Sequence, residues 1–268
     1  MIFGVSATMS QAVTTLPVGP FTFTNNSDYD NNFKEGTNGN LIVTPGASGY
    51  LGVTSPGGSA AFGSAIYDTS VTPGTGGAGG TGGTNANNDL SNFTVSSVIQ
   101  FQNRATTSTI GYFLRMNDDE TSGYLATVSF FNTTAPLQVR FDLYRNVGLD
   151  YNPPAGGVDS FATIALNFTT SAAANFNFSV TANGDSFSFF LSNAGNTASV
   201  SHTFTDAGTT TLTGQTGVFL RASQQTGPST TRMDNFTITE PIPEPSSILL
   251  LGSATSLLMI RRRRAMQA

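Results

Sequence analysis

From residue 41 to residue 239 apolar and polar side chains alternate in short runs, and helical spacing of apolar residues is absent before residue 246. The clearest run is Phe176-Asn177-Phe178-Ser179-Val180-Thr181. It is answered by Phe187-Ser188-Phe189, with Asn183-Gly184 or Gly184-Asp185 as the turn of a hairpin. Further strands are predicted over residues 41–43, 50–53, 62–67, 93–101, 110–115, 124–131, 138–144, 161–167, 199–204, 217–222 and 233–239. Short strands at regular spacing, punctuated by Gly, Asn and Pro, predict an all-β, two-sheet antiparallel sandwich over residues 17–239 with almost no helix. The 21 phenylalanines are expected to fill the space between the sheets, and the Thr, Ser and Asn positions between them to face water.

Two stretches break this pattern. Residues 73–84 (PGTGGAGGTGGT) lack the Gly-Lys-Ser/Thr of a phosphate loop and open no helix, so they read as a flexible surface excursion between strands. Residues 240–268 change register altogether: Pro243-Glu244-Pro245, an apolar run over residues 246–260, then Arg261-Arg262-Arg263-Arg264. As a helix the run would span about 22 Å at 1.5 Å per residue, against roughly 30 Å of hydrocarbon in a bilayer. It reads as a short C-terminal transmembrane helix, its deficit eased by snorkelling arginine stems and its C-terminus held on the cytoplasmic side by the arginine block.

Composition narrows the class of partner. Charged residues make up 10% of the chain, far below the usual quarter. Gly, Ser, Thr and Asn take their place, and Lys34 is the sole lysine. Residues 1–240 hold seven basic and fifteen acidic side chains, a net charge of −8. That balance excludes nucleic acid, whose phosphates demand a basic patch. With no cysteine there is neither a disulfide framework nor a thiolate metal site. Residues 1–12 (MIFGVSATMSQA) are small and apolar and end in Ser10-Gln11-Ala12, a pattern suited to signal peptidase, yet no basic n-region precedes them. They read as a signal peptide whose beginning is missing.

The order Pro-Glu-Pro, short apolar helix, arginine cluster closely resembles the PEP-CTERM sorting signal of Gram-negative bacteria. The resemblance covers residue 243 to about residue 264. It implies an exosortase-type membrane peptidase as partner, transient anchoring in the inner membrane, cleavage of the tail, and release to the cell surface or an exopolysaccharide matrix.

A second resemblance lies in the last third of the body. The hairpin over residues 180–191, Thr203-Phe204-Thr205-Asp206, Gly214, Gly217-Val218-Phe219-Leu220 and Met233-Asp234-Asn235-Phe236-Thr237-Ile238 are similar to segments of concanavalin A-like jelly rolls. That fold is shared by laminin-G-like modules, legume lectins and many β-glucanases. The resemblance implies a jelly roll whose closing Asp-Asn-aromatic strand returns beside the N-terminal strand. It transfers no activity.

Candidate chemistry is sparse. Hydrolases of this fold carry closely spaced acids on one strand, and glycoside hydrolysis needs two carboxyls facing one cleft. The four glutamates are Glu35, Glu120, Glu240 and Glu244, and no predicted strand places carboxylates at i and i+2. Asn117-Asp118-Asp119-Glu120 reads as a solvated turn. Asp28-Tyr29-Asp30-Asn31-Asn32 has oxygen ligands at alternate positions, which suits calcium, but its sixth and twelfth positions, Phe33 and Gly39, do not fit an EF-hand. The jelly-roll resemblance would pair Asp28 or Asp30 with Asp234 in a structural calcium site. The alternative is an Asx-turn cluster that caps its own backbone. His202, the sole histidine, sits on a predicted strand with no nucleophile motif nearby. Tyr112, Tyr124, Tyr144 and Tyr151 are candidates for stacking on sugar rings, or for the edges of the core. Asn-x-Ser/Thr sequons occur at Asn25, Asn92, Asn132, Asn167, Asn177 and Asn235.

The resulting reading is an exported, non-enzymatic surface or matrix protein, structural or weakly glycan-binding, with no cofactor beyond the candidate calcium. The alternatives are a dedicated lectin-like module and a diverged polysaccharide hydrolase or lyase.

Overall fold

The structure, a computed structural model, describes residues 14–240 apart from 56–59, 84–86, 88, 103–107, 131–136, 155–158, 169–174, 208–211 and 223–228. Fifteen strands and one helical turn follow in order among the described residues. The first are β1 (Val18–Phe21), α1 (Ser27–Asp30), β2 (Phe33–Glu35), β3 (Ile42–Thr44), β4 (Tyr50–Ser55) and β5 (Ala61–Tyr67). Next come β6 (Phe93–Gln102), β7 (Thr109–Met116), β8 (Tyr124–Phe130), β9 (Leu137–Arg145) and β10 (Ala162–Phe168). The chain closes with β11 (Asn175–Asn183), β12 (Ser186–Asn193), β13 (Ser199–Thr205), β14 (Gln215–Ala222) and β15 (Ser229–Thr239).

These strands form two antiparallel sheets. The first runs β13-β12-β11-β6-β15-β4-β3, and the second β10-β9-β8-β7-β14-β5-β2. β15 lies along β6 on one side; on the other it serves β4 with its first half and β1 with its last. Val18 faces Ile238 and Phe21 faces Phe236, so the closing strand does return beside the N-terminal one. The hairpin β11–β12 turns on Gly184-Asp185, with Gly184 at φ +55° in the first loop position.

Alternation decides which side chains enter the core. In β11, Phe176, Phe178, Val180 and Ala182 are buried while Asn177, Ser179 and Thr181 stay half-buried on the other face. Facing strands send in Tyr112, Leu114, Phe130, Phe141 and Val218. Tyr112 stacks on Phe178 at 5.0 Å, and its hydroxyl bonds to Ser97 Oγ and donates to the Phe178 carbonyl, so a buried polar group is left satisfied.

The expectation of almost no helix holds among the described residues, α1 being one four-residue turn that overlaps the start of the Asp28–Asn32 cluster. Two expectations from the sequence need correction. The glycine-rich stretch is packed rather than free: the Gly77 and Gly79 amides donate to the buried Asp30 carboxylate, and the Gly80 amide to the Phe33 carbonyl. A Cβ on Gly74 would lie 1.7 Å from the Gly79 carbonyl oxygen, so the chain can fold back on itself only as glycine. Finally, the polar positions of the second sheet do not all face water. β7 and β8 are buried at every position. On the sheet's outer side Ile66, Phe113, Met116, Leu125, Tyr144 and Phe219 form a second apolar cluster with Val147 and Leu149 of the segment after β9.

The segments over residues 1–12 and 241–268, including Pro243, Glu244, Pro245 and Arg261 to Arg264, lie outside the described residues. Among the described residues no helix is long and apolar enough to cross a membrane.

Candidate functional site

Among the described residues the outward face of the first sheet stays open, and the sequence shows why the Phe190 ring stands on it. Phe187, Phe189 and Leu191 of β12 point inward at period two, so Phe190 between them must point out. It is 42% exposed, opposite Ser179 of β11 and Ser201 of β13. Around it lies a depression of about 410 Å3 lined by Ser96, Val98, Asn177, Ser179, Ser192, Asn196 and Asn235. Among the described residues no charged side chain lines it.

Its polar groups are held in place by the turn between β12 and β13. The Asn193 side chain accepts the Thr197 and Ala198 amides, closing that turn. Asn196 takes φ +51°, a left-handed conformation that asparagine tolerates better than most residues. Its side-chain oxygen Oδ1 then accepts from Ser192 Oγ at 2.7 Å and from Asn177 Nδ2 at 3.2 Å. The result is a fixed array of amides and hydroxyls beside an apolar ring.

A β-bulge divides this face. Between Asp234 and Thr237 β15 advances three residues while β6 advances two, from Val98 to Ser96. Asn235, at φ +53°, absorbs the extra residue and looks into the first depression. Asp234 looks into a second one of about 420 Å3, with Tyr50, Gln100, Asn175 and Arg232. There the Arg232 guanidinium lies 4.1 Å over the Tyr50 ring and donates to Gln100 Oε1 at 3.4 Å.

The acids proposed for calcium are only partly brought together. Asp28 Oδ2 accepts the Thr22 and Phe23 amides at 3.1 and 2.9 Å. Burial raises the pKa of Asp234, the Asn235 amide pulls it down, and the nearby Asp28 charge raises it further. Asp30 serves the glycine-rich stretch instead. Among the described residues no three acidic or histidine side chains converge as metal ligands do.

The remaining candidates settle simply. Tyr112, Tyr124 and Tyr144 are buried, and Tyr151 packs on Tyr144 at 5.6 Å, so none offers a free platform for a sugar. Asn117 closes its own turn by accepting the Thr121 and Ser122 amides. From that turn Glu120 reaches Lys34 at 2.6 Å. His202 lies on β13 against Phe204. Of the sequons, Asn177 and Asn235 line the first depression, and Asn132 lies outside the described residues. Phe190 and Asn196 escaped the reading of the sequence, although Phe189-Phe190 carries the signal: two adjacent aromatics on a strand must face opposite ways.

No family model matches the chain, and no curated protein matches it. In structure it is similar to the exoplasmic/lumenal domain of VIP36 in a Ca2+/Man3GlcNAc-bound form. The TM-score is 0.50 and the identity 11%, over 79% of this chain and 85% of that one. It is also similar to a Bacteroides ovatus GH16 protein in complex with a G4G4G3G product, with a TM-score of 0.49 and 8% identity over 80% and 98% of the two chains. Carbohydrate-binding module CBM66 from Bacillus subtilis follows, with a TM-score of 0.44 and 16% identity over 78% and 96%. What the likeness to the VIP36 domain shows is the fold, a concanavalin A-like jelly roll.

Proposed function

We propose that this is an exported, non-enzymatic surface or matrix protein that binds neutral glycan on the outer face of its first sheet. The observation that carries the reading is Phe190, an exposed ring set among amide and hydroxyl groups already oriented by Asn196. A sugar ring presents C–H groups on its face and hydroxyls at its rim, which is the chemistry that an aromatic plane flanked by Asn and Ser can meet. The acidic balance of the body disfavours polyanions, and the uncharged lining of the depression favours a neutral chain such as an exopolysaccharide. The fold shared with the VIP36 domain agrees with a glycan ligand without lending its site. Affinity electrophoresis through gels containing different neutral polysaccharides tests this: retardation by at least one, and by none that is strongly acidic, is the expected pattern.

The address rests on the C-terminal motif. An exosortase-type peptidase cleaves near Pro243-Glu244-Pro245 after the apolar segment and Arg261 to Arg264 have held the chain in the inner membrane. Intact-mass measurement of surface material should find no peptide beyond about residue 245. A mature protein still ending at Ala268 would overturn this part of the reading. Among the described residues no strand carries a carboxylate pair suited to glycoside hydrolysis, and reducing-sugar release should stay at background.

A further inference from the structure

The two sides of the sandwich end differently. On one side the edge strands β2 and β3 are three residues long, and β2 is further covered by the glycine-rich stretch through Lys34 and Gly80. Short and covered edges are the usual protection against pairing with other chains. On the other side β10 and β13 run side by side, each seven residues long and without Lys, Arg, Asp, Glu, Pro or a bulge. Among the described residues β13 pairs with β12 alone, and Ser199, Ser201, Thr203 and Thr205 are exposed.

The ladder fixes which backbone groups look outward. The Asn193 amide donates to the Ala198 carbonyl at one end of the β12–β13 pair, and the Asp206 amide to the Asp185 carbonyl at the other. Hydrogen-bonded pairs alternate along an antiparallel ladder, so Val200, His202 and Phe204 turn their amides and carbonyls toward β12. Ser199, Ser201, Thr203 and Thr205 turn theirs to the open edge.

We infer that β13 is a self-pairing edge whose occupant is β13 of a second copy of this chain, joined about a two-fold axis at His202. The sequence SVSHTFT is self-complementary about its centre. Reversed onto itself it sets Ser201 against Thr203 and Ser199 against Thr205 on the outer face, and Val200 against Phe204 on the inner face. Hydroxyl–hydroxyl and apolar–aromatic pairs are favourable across strands. The backbone agrees in phase: Ser201 and Thr203 of opposite copies exchange both hydrogen bonds, and the two His202 residues form the closer, non-hydrogen-bonded pair. The strands that meet carry no carboxylate, so the acidity of the two bodies is not concentrated at the contact. Such an isologous contact closes as a dimer, the first sheet running from one copy into the next.

The chain has no cysteine, so single-cysteine variants of the purified full-length protein give the test. His202→Cys should cross-link to its twin under mild oxidation, since Cα atoms about 4.5 Å apart suit a disulfide. Ser201→Cys should cross-link at least about tenfold less, its twin lying two residues further along at about 8–9 Å. By sedimentation velocity the unmodified protein should be a dimer. Ser201→Pro, which removes an edge donor outside the β12 ladder, should be a monomer with an unchanged circular dichroism spectrum. A monomeric unmodified protein at about 100 μM, a dimeric Ser201→Pro, or equal cross-linking at positions 201 and 202 would overturn the proposal.

Discussion

The outer faces of the two sheets differ in their side chains and meet opposite fates. Beyond the second sheet Phe113, Leu125 and Phe219 are fully buried in a second apolar cluster. Beyond the first, Asn177 and Ser179 remain half-exposed and Phe190 stands 42% exposed among them. A face closed over apolar side chains contributes stability, whereas an open face with an exposed aromatic ring among fixed polar groups is a place for a ligand. Substitutions on the closed face should therefore change stability and spare binding, and those on the open face should do the reverse.

The largest effect is expected from Phe219→Ala. Its ring lies 6.2 Å from that of Phe62 and 6.4 Å from that of Phe113, and its loss leaves a cavity worth about 3–5 kcal/mol. Urea denaturation should register that loss, while glycan binding by the folded fraction stays unchanged.

A pH titration separates the second sheet from the first in another way. Glu35, on β2, is half-buried, and burial pushes its carboxyl up to about 7 against the pull of the Leu41 amide. In the unfolded chain it ionises near the usual 4.5. Below that value both states are protonated and stability is full; as pH rises toward 7 the unfolded state alone loses its proton, and stability falls. Glu35→Gln keeps an acceptor for the Leu41 amide and should flatten the melting temperature between about pH 4.5 and 7. A slope unchanged in the variant would assign the titration elsewhere.

A smaller effect probes the open face. Asn196→Gly keeps the positive φ but removes the amide that receives Asn177 and Ser192. Glycan affinity should fall about three- to fivefold, the worth of one neutral hydrogen bond, with stability altered by only a few tenths of a kcal/mol. The smallest effect is expected from calcium. With Asp30 engaged by Gly77 and Gly79, calcium and EDTA should each move the melting temperature by less than about 1 °C. A rise of about 5 °C or more in millimolar calcium would restore a metal to Asp28 and Asp234.

The fold was legible where apolar residues recur at period two or in unbroken runs. Every strand predicted from residue 41 onward has its counterpart, because Phe, Val, Leu and Ile bounded by Gly and Asn leave few alternatives. β1 escaped, with Gly19-Pro20 inside it, as did the three-residue β2. The closed outer face went unread, although the consecutive apolar residues Tyr112-Phe113-Leu114 and Tyr124-Leu125-Ala126 mark strands buried on both sides. What composition cannot convey is which sheet another segment covers. Nor does it tell which face of a strand is the inner one, so Tyr112 and Tyr124, which pack between the sheets, and Tyr144, covered on the outer side, looked as available as any aromatic, while Phe190, the exposed ring, was hidden beside Phe189. Spacing along the chain likewise does not reveal that Asp30 faces the glycine-rich stretch.

The central claim is that the open face of the first sheet binds glycan through Phe190. It is tested most directly by probing a neutral-glycan array with the unmodified protein and with Phe190→Ala. At this exposed position truncation should change stability by no more than about 1 kcal/mol. The account predicts that the unmodified protein binds at least one neutral glycan, and that Phe190→Ala binds it at least about tenfold more weakly, a loss of about 1.4 kcal/mol. Equal binding by the two proteins, or no binding by the unmodified one to any glycan on the array, would contradict it.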